Sequence, residues 1–302
     1  MNIIETHSLT RRFGRNEAVC GLDLAVPEGS VCALLGQNGA GKSTTIKMLV
    51  NLLHPTSGEA RVMGVDSRSL GPRQFEQMGY VSENQQLPLW MTVRQLLDYC
   101  RPFYPSWDTT LERELLALLA LPEDRKLREI SRGMLMKAAL LSSLCYRPKL
   151  LILDEPFSGL DPLVRDELVK SIIEVSASRD WTVFISSHDI EEVERMTDHI
   201  ALIDAGRLQL SEPTERLQAR FRKVDADLRS EASPPSMPGW LEIEQSGQRM
   251  SFVDSAYDPV DSPAAYERLF PEAGAAARPM TLREIFLTLA RTSRRAAKGA
   301  VA

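Results

Sequence analysis

The chain lacks any long apolar stretch. Its longest run, Leu115–Leu121, is far short of the roughly 18–20 residues a membrane helix needs, so the sequence predicts no membrane span of its own. The opening MNIIETHSLTRRFG has no apolar run behind a basic start, which excludes a secretory signal. Cysteine is sparse. Cys20, Cys32, Cys100 and Cys145 are widely spaced, form no C-x-x-C pair and have no histidine cluster nearby. They read as small core thiols in a reducing compartment rather than as a metal site or disulfide. An excess of positive charge is missing too, and the net charge of −5 argues against nucleic acid as a partner. No internal repeat and no sustained heptad pattern occurs.

What is present suffices for one large domain or two smaller ones. The 302 residues are 43% apolar and 25% charged, a composition that supports a sizeable core. Val31–Leu35 is a continuous apolar run followed by glycine, which predicts a buried strand. Ile46, Leu49, Val50 and Leu53 then recur at helical spacing. Further buried strands are expected at Leu150–Leu153, Val183–Ser186 and Ile200–Ile203, so the core is α/β with a largely parallel sheet. Between about Gln86 and Pro148 the pattern is helical only. Thr92 to Gln95 fits a capping box, with Val93, Leu96, Leu97 and Cys100 as one apolar stripe. A second helix carries Leu111, Leu115, Leu118 and Leu119. After Glu212 the character changes. Ser233–Gly239 reads as a linker, Trp240–Glu244 and Arg249–Val253 as a hairpin around Gln-Ser-Gly, and Thr281–Arg291 as a short amphipathic helix. The last residues, with Arg294, Arg295 and Lys298, read as a solvated tail.

Two stretches carry chemistry. Gly36-Gln-Asn-Gly-Ala-Gly-Lys-Ser43 is a complete G-x-x-x-x-G-K-[ST] phosphate loop, between a strand and a helix as that motif requires. Its glycines let the backbone N–H groups curl toward phosphate oxygens, and the following helix adds its N-terminal partial charge. Lys42 is expected to reach the β and γ phosphates and Ser43 to ligate Mg²⁺. Leu150-Leu-Ile-Leu-Asp154-Glu155 delivers two carboxylates to a strand's C-terminal end, where ligands sit in open α/β sheets. Asp154 is expected to hold Mg²⁺, directly or through water, and Glu155 to polarise the attacking water as general base. No N-K-x-D guanine-reading motif occurs, which disfavours a GTPase.

With these motifs, Ser158-Gly-Leu-Asp161 and Ser187-His188-Asp189, the chain resembles the ATP-binding subunit of an ABC transporter over roughly residues 1–215. The resemblance implies a P-loop NTPase core of ABC type with a helical subdomain inserted at about residues 86–148. Residues 216–302 would be a small C-terminal α+β extension. It implies that Phe13 stacks on adenine, that Gly36, Asn38, Gly39, Gly41, Lys42, Ser43 and Thr44 hold ATP with Mg²⁺, and that His188 is the switch histidine at the γ-phosphate. Asp161 would lie in the loop that communicates across a dimer. The family's usual L-S-G-G-Q signature is here Ile130-Ser131-Arg132-Gly133-Met134. Ser131 is an expected helix N-cap, and Ser131 and Gly133 would close on ATP held by a second subunit. Where the family usually has a Mg²⁺-ligating glutamine, this chain has Glu83. A carboxylate ligates Mg²⁺ as well but adds negative charge near the γ-phosphate; with a slipped register Gln85 or Gln86 takes that place.

The implied function is ATP hydrolysis that powers transport through separate permease subunits, at the cytoplasmic face of the membrane. Two ATP-binding subunits would pair, as a homodimer in preference to a mixed pair, with no nucleic acid involved. The variant signature, Glu83 and the Phe103–Asp108 stretch resemble ATPases of bacterial drug- or antibiotic-resistance exporters. Two alternatives stand beside this reading: a soluble ABC-type ATPase acting on a non-membrane partner, and a weakly hydrolysing regulatory subunit.

Overall fold

The computed structural model describes residues 1–177, 181–228, 237–270 and 275–299, with side chains for all of these but 175–177 and 293–299. The chain divides into two units, Met1–Ser211 and Glu212–Ala302.

Two sheets build the first unit. An antiparallel sheet joins β1 (Asn2–Phe13), β2 (Asn16–Leu22), β3 (Ala25–Pro27), β5 (Ser57–Val62) and β6 (Val65–Asp66) in the order β2-β1-β5-β6, with β3 also on β1. This sheet was not expected from the sequence. Its strands are half-buried, and the positions facing inward include Thr6 and Thr10, whose hydroxyls donate to the carbonyls of Leu22 and Ser8. Buried threonines satisfied by backbone break the apolar signal without breaking the strand.

The second sheet is the predicted one. Its order is β11-β10-β4-β9-β8-β7, formed by β4 (Val31–Leu35), β7 (Met78–Ser82), β8 (Leu150–Asp154), β9 (Thr182–Ser187), β10 (His199–Asp204) and β11 (Arg207–Pro213). The pairs β10·β4, β4·β9, β9·β8 and β8·β7 are parallel. β4 and β8 are buried at all five positions, which is why both read as unbroken apolar runs. The register sets Leu35 beside Ser187, Asp154 beside Ser186 and Ser82 beside Asp154. Four strands therefore end at one edge. Helix α1 (Lys42–Leu49) follows β4 and buries Ile46, Met48 and Leu49 between the sheets. α2 (Pro72–Phe75) is one turn leading into β7, and α6 (Pro162–Ala177) follows β8.

Residues 86–148 contain α3 (Val93–Cys100), α4 (Thr109–Leu118) and α5 (Arg132–Leu144). The Thr92 capping box forms as expected: Thr92 Oγ1 accepts from the Gln95 N–H at 3.1 Å and Gln95 Oε1 from the Thr92 N–H at 3.0 Å. α3 buries Val93, Leu96 and Leu97, each contributing about 1.5–3 kcal/mol by leaving water. Of the expected stripe, Leu111, Leu115 and Leu119 are buried, together with Leu116, while Leu118, the last residue of α4, is exposed. The Phe103–Asp108 stretch has a structural use. Tyr104 stacks on Tyr146 with centroids 3.8 Å apart, and Trp107 Nε1 donates to the buried Glu112 at 2.7 Å. Arg94 and Arg101 complete that carboxylate's partners at 2.8 and 2.9 Å.

The second unit is an antiparallel sheet in the order β13-β14-β12-β15, with helices. Its elements are α7 (Thr214–Arg220), β12 (Arg222–Asp227), β13 (Trp240–Ser246), β14 (Arg249–Asp254), α8 (Asp261–Leu269), β15 (Ala275–Pro279) and α9 (Leu282–Gly299). The hairpin is longer than expected, and its turn is Gly247-Gln248, with Gly247 at φ 60° as a two-residue hairpin turn requires. Trp240 and Phe252 stack at 3.7 Å in a core with Val224, Met250, Tyr266 and Phe270. Of the expected linker, residues 233–236 lie outside the described residues. The expected solvated tail is helical as far as the described backbone runs, through Gly299, a stretch in which Arg, Ala and Lys favour helix. The side chains of Arg294, Arg295 and Lys298 lie outside the described residues. All four cysteines are free; Cys20, Cys32 and Cys145 are buried, and burial pushes the Cys32 thiol up to about 12. Among the described residues no helix is long and apolar enough to cross a membrane.

Candidate functional site

The four strand ends and the loop after β4 form a cleft of about 640 Å³, lined by Phe13, Asn38, Lys42, Glu83, Glu155 and His188 among others. The glycine loop is held from behind. Gly36 donates its N–H to the Ser187 carbonyl at 3.3 Å, and a Cβ on Gly36 would meet the Ile203 oxygen at 2.4 Å. Gly41 sits at φ 107°, with the Ala18 oxygen 2.5 Å from where a Cβ would be. Only glycine fits that combination of close approach and left-handed backbone. The result is an α1 N-terminus that opens into the cleft between Gly39, Gly41, Ser43 and Thr44.

Lys42 is 4% exposed. Its ammonium donates to the Gly36 carbonyl at 2.7 Å and the Gln37 carbonyl at 3.2 Å, and it pairs with Glu155 Oε1 at 2.9 Å. Three partners satisfy the three donors of a buried lysine. The second Glu155 oxygen lies 2.8 Å from His188 Nδ1. Glu155 adopts φ 53°, a left-handed backbone rare for a residue with a side chain. Its N–H donates to Ser186 Oγ at 3.0 Å. The carboxylate is thereby held between the phosphate-loop lysine and the histidine that follows β9.

Asp154 is buried, and Oδ1 accepts from Ser43 Oγ at 2.9 Å and Ser186 Oγ at 2.8 Å. Burial raises its pKa above the ordinary carboxylate value, while the two hydroxyls work the other way. A desolvated carboxylate beside a serine hydroxyl is a pair of hard oxygen donors that a cation would stabilise. That fits Mg²⁺, which is commonly held by one or two carboxylates together with substrate phosphates. Among the described residues no three His, Cys, Asp or Glu side chains converge as a metal cage, and such an arrangement needs none.

Glu83 follows β7 directly. Its N–H donates to the Asp154 carbonyl at 2.9 Å, so its Cα is fixed beside the end of β8. Of the alternatives at this loop, Glu83 lines the cleft, whereas Gln85 turns its amide oxygen back to the Ser82 N–H at 3.4 Å. Phe13 ends β1 opposite Asn16. It is 47% exposed, with the Arg11 guanidinium 4.7 Å from its ring centroid.

Five expected residues do not line this cleft. Gly36 and Asp154 stand behind it, bonded to the lining Lys42 and Ser43, and the other three are Ser131, Gly133 and Asp161. Ser131 caps α5, accepting from the Met134 N–H at 3.2 Å. Gly133 is buried in the first turn, where a Cβ would lie 2.2 Å from Val164 Cγ1 on α6. Asp161 accepts from the Val164 N–H at 3.1 Å and precedes Pro162, the arrangement of a helix N-cap with proline at the first position. Sequence reasoning missed Ser186, although two serines closing an apolar strand were a visible signal. It also missed Glu192, whose buried carboxylate accepts from Ser187 Oγ at 2.5 Å and pairs with Arg165 at 3.3 Å. No sequence pattern marks that residue.

A family model described as ABC transporter matches residues 19–158. Among curated proteins, the bacitracin transport ATP-binding protein BcrA of Bacillus licheniformis is 33% identical over 223 residues, covering 73% of each chain. The daunorubicin/doxorubicin resistance ATP-binding protein DrrA of Streptomyces peucetius is 36% identical over 241 residues, 76% of this chain and 73% of that one. Among solved structures, one titled as the ATP-binding subunit of an ABC transporter aligns with a TM-score of 0.64 and 26% identity, over 72% of this chain and 92% of that chain.

Proposed function

The chain belongs to the ABC transporter ATP-binding proteins, and on that premise we propose that it hydrolyses ATP to drive export through separate permease subunits. The observation that carries the reading is the convergence of the glycine loop, Lys42, Asp154, Glu155 and His188 on one cleft. ATP would lie with adenine on Phe13 and its phosphates over the N–H groups of the loop. Ser43 and Asp154, joined by Glu83, would hold Mg²⁺, which supplies charge neutralisation on the phosphate oxygens. Phosphate competes with Glu155 for Lys42. Once Lys42 turns to phosphate, Glu155 is free to take a proton from the attacking water, and His188 holds the carboxylate's second oxygen in place. Ser131 and Gly133 would contribute from a second copy paired head to tail. The working parts would be an ATP-binding domain over residues 1–215, with its helical insert, and an extension over 216–302.

Export is favoured by the two relatives named for bacitracin transport and for drug resistance. A permease partner is supported by exposed aromatics on the helical insert: Trp90, Tyr99 and Phe103 are 65%, 57% and 63% exposed. Apolar surface of this kind marks a docking face. It would place the chain at the cytoplasmic face of the membrane.

The test is Glu155→Gln with ATP and Mg²⁺, read as mass in solution. Loss of the base leaves binding intact and traps the closed pair, so the 33.8 kDa chain is expected to run at roughly twice that mass. A monomer with ATP shown to be bound overturns the homodimer. A wild-type chain that binds ATP and does not turn it over, with or without a permease, supports the regulatory alternative instead.

A further inference from the structure

Two of the departures from the family's motifs are partners. Position 83 carries a carboxylate where a neutral glutamine is usual, and position 132 a guanidinium where glycine is usual. Arg132 donates to Glu83 Oε1 at 2.8 Å. Neither change is therefore a simple decay of the motif it sits in.

Three further observations give the pair a role. Arg132 is the first residue of α5, where the helix dipole disfavours a cation, so the position calls for an anionic partner. Its guanidinium also lies against Gly159: a Cβ there would meet one terminal nitrogen at 2.4 Å and Cζ at 3.0 Å. The side chain thus ties together the loop after β7, the start of α5 and the 158–161 loop. Finally, Glu83 faces two ways. It lines the nucleotide cleft with Lys42, Ser43 and Glu155, and it lines a groove with Arg132, Leu135 and Met136. Its backbone is pinned to Asp154, so only the side chain is free to choose.

We infer that Arg132 is a positioning residue that controls metal binding by Glu83: the Glu83–Arg132 pair is a latch, and Mg²⁺ bound with nucleotide opens it. The carboxylate oxygen bonded to Arg132 is withdrawn from the metal. When Glu83 turns to the metal, Arg132 loses its counter-charge, and α5 loses its tie to the β7 loop. Metal loading is in this way coupled to release of the segment that carries Ser131 and Gly133. This rests on the Mg²⁺–nucleotide reading of the cleft.

The experiment titrates Mg²⁺ against equilibrium binding of the non-hydrolysable analogue adenylyl imidodiphosphate. It uses the full chain as wild type, Arg132→Gln, Glu83→Gln and the double variant. Both side chains are solvent-accessible, at 52% and 28%, so the fold is retained. An exposed pair couples weakly, and Arg132→Gln is expected to lower the half-saturating Mg²⁺ concentration about two- to five-fold. Glu83→Gln is expected to raise it. In the Glu83→Gln background, Arg132→Gln is expected to change nothing. An equal Arg132→Gln shift in both backgrounds means that Arg132 acts only as a general positive charge, and it overturns the latch while leaving the nucleotide site standing. No shift in either background also overturns it. A wild-type chain with no Mg²⁺-dependent binding sinks the nucleotide reading and the latch with it.

Discussion

Gly133 offers a direct separation of packing from nucleotide chemistry. In Gly133→Ala the new methyl would lie 2.2 Å from Val164 Cγ1, roughly 1.3 Å inside the closest comfortable carbon–carbon distance. Val164 is β-branched and sits in a helix, where one χ1 rotamer dominates. It cannot rotate away freely, so α5 and α6 must part. Overpacking of this kind costs about 1–3 kcal/mol. The better helix propensity of alanine offsets about 0.5–1 kcal/mol of that. The central net loss, about 1 kcal/mol, corresponds to a melting point about 2–4 °C lower for a unit of this size. The assay is thermal unfolding without nucleotide, on Gly133→Ala, Val164→Ala and the double variant. Removing the Val164 methyls relieves the clash, so the double variant is expected to melt above Gly133→Ala. A Gly133→Ala chain that melts with wild type refutes the packing account. Its glycine would then matter only to a neighbour's nucleotide, and the double variant would still fail to pair in the presence of ATP.

Three further outcomes follow from the same geometry. Asp154→Asn removes a buried charge but keeps an oxygen for the Ser43 and Ser186 hydroxyls. The nucleotide-free chain is expected to be at least as stable as wild type, while the rise in melting point on adding Mg²⁺ and ATP disappears. Because the folded state raises the Asp154 pKa above 3.8, that carboxyl's contribution to stability falls as pH rises above this value, and Asp154→Asn flattens the dependence. Glu284 behaves in the opposite sense. Arg278 foremost, with the Thr281 N–H, lowers it from 4.5 to about 2, so its hold on the start of α9 is complete above about pH 4.5 and lost as pH falls toward 2; amide exchange in residues 282–292 should accelerate over that window, and Glu284→Gln should abolish the acid dependence. Phe13→Ala should weaken ATP binding about five- to ten-fold, the effect of losing about 1–1.4 kcal/mol of base stacking, and Phe13→Tyr should restore it. Unchanged affinity in a direct titration would leave Phe13 as a ring for Arg11 alone.

The parts of this chain that were legible from sequence are those whose physics is local. β4 and β8 are buried on both faces, so every residue is apolar and the strand declares itself. The phosphate loop is legible because close approach and positive φ leave glycine as the one choice at Gly41. The antiparallel sheet was hidden because Thr6 and Thr10 are buried polar residues satisfied by carbonyls, which look like surface in a string of letters. β12 and β15 are short and carry only Val224, Ala226 and Ala275 toward the core side. The pairings were hidden for a different reason. Glu83 and Arg132 are 49 residues apart and His188 and Glu155 are 33 apart. Each was noticed alone as a motif letter, and the charge that answers it arrives only when the strand ends are brought to one edge.

Those pairings also explain why the cleft is stable as built and why it is suited to exchange. Lys42 is answered by Glu155, Arg132 by Glu83, and Asp154 by two hydroxyls. A buried cation or carboxylate left alone costs several kcal/mol, so the chain supplies the counter-charges itself. A metal–triphosphate brings the same two signs. Its phosphates can replace Glu155 at Lys42, and its cation can replace the hydroxyl donors at Asp154 and Arg132 at Glu83. Each substitution keeps Lys42, Asp154 and Glu83 paired; of the groups released, Glu155 retains His188 and the Arg132 guanidinium is solvent-exposed. On the proposed reading, what the exchange would set free is Glu155, the proposed base, and Arg132 at the head of α5. The freeing of both by one ligand would tie the proposed hydrolysis and release of α5 to the same event.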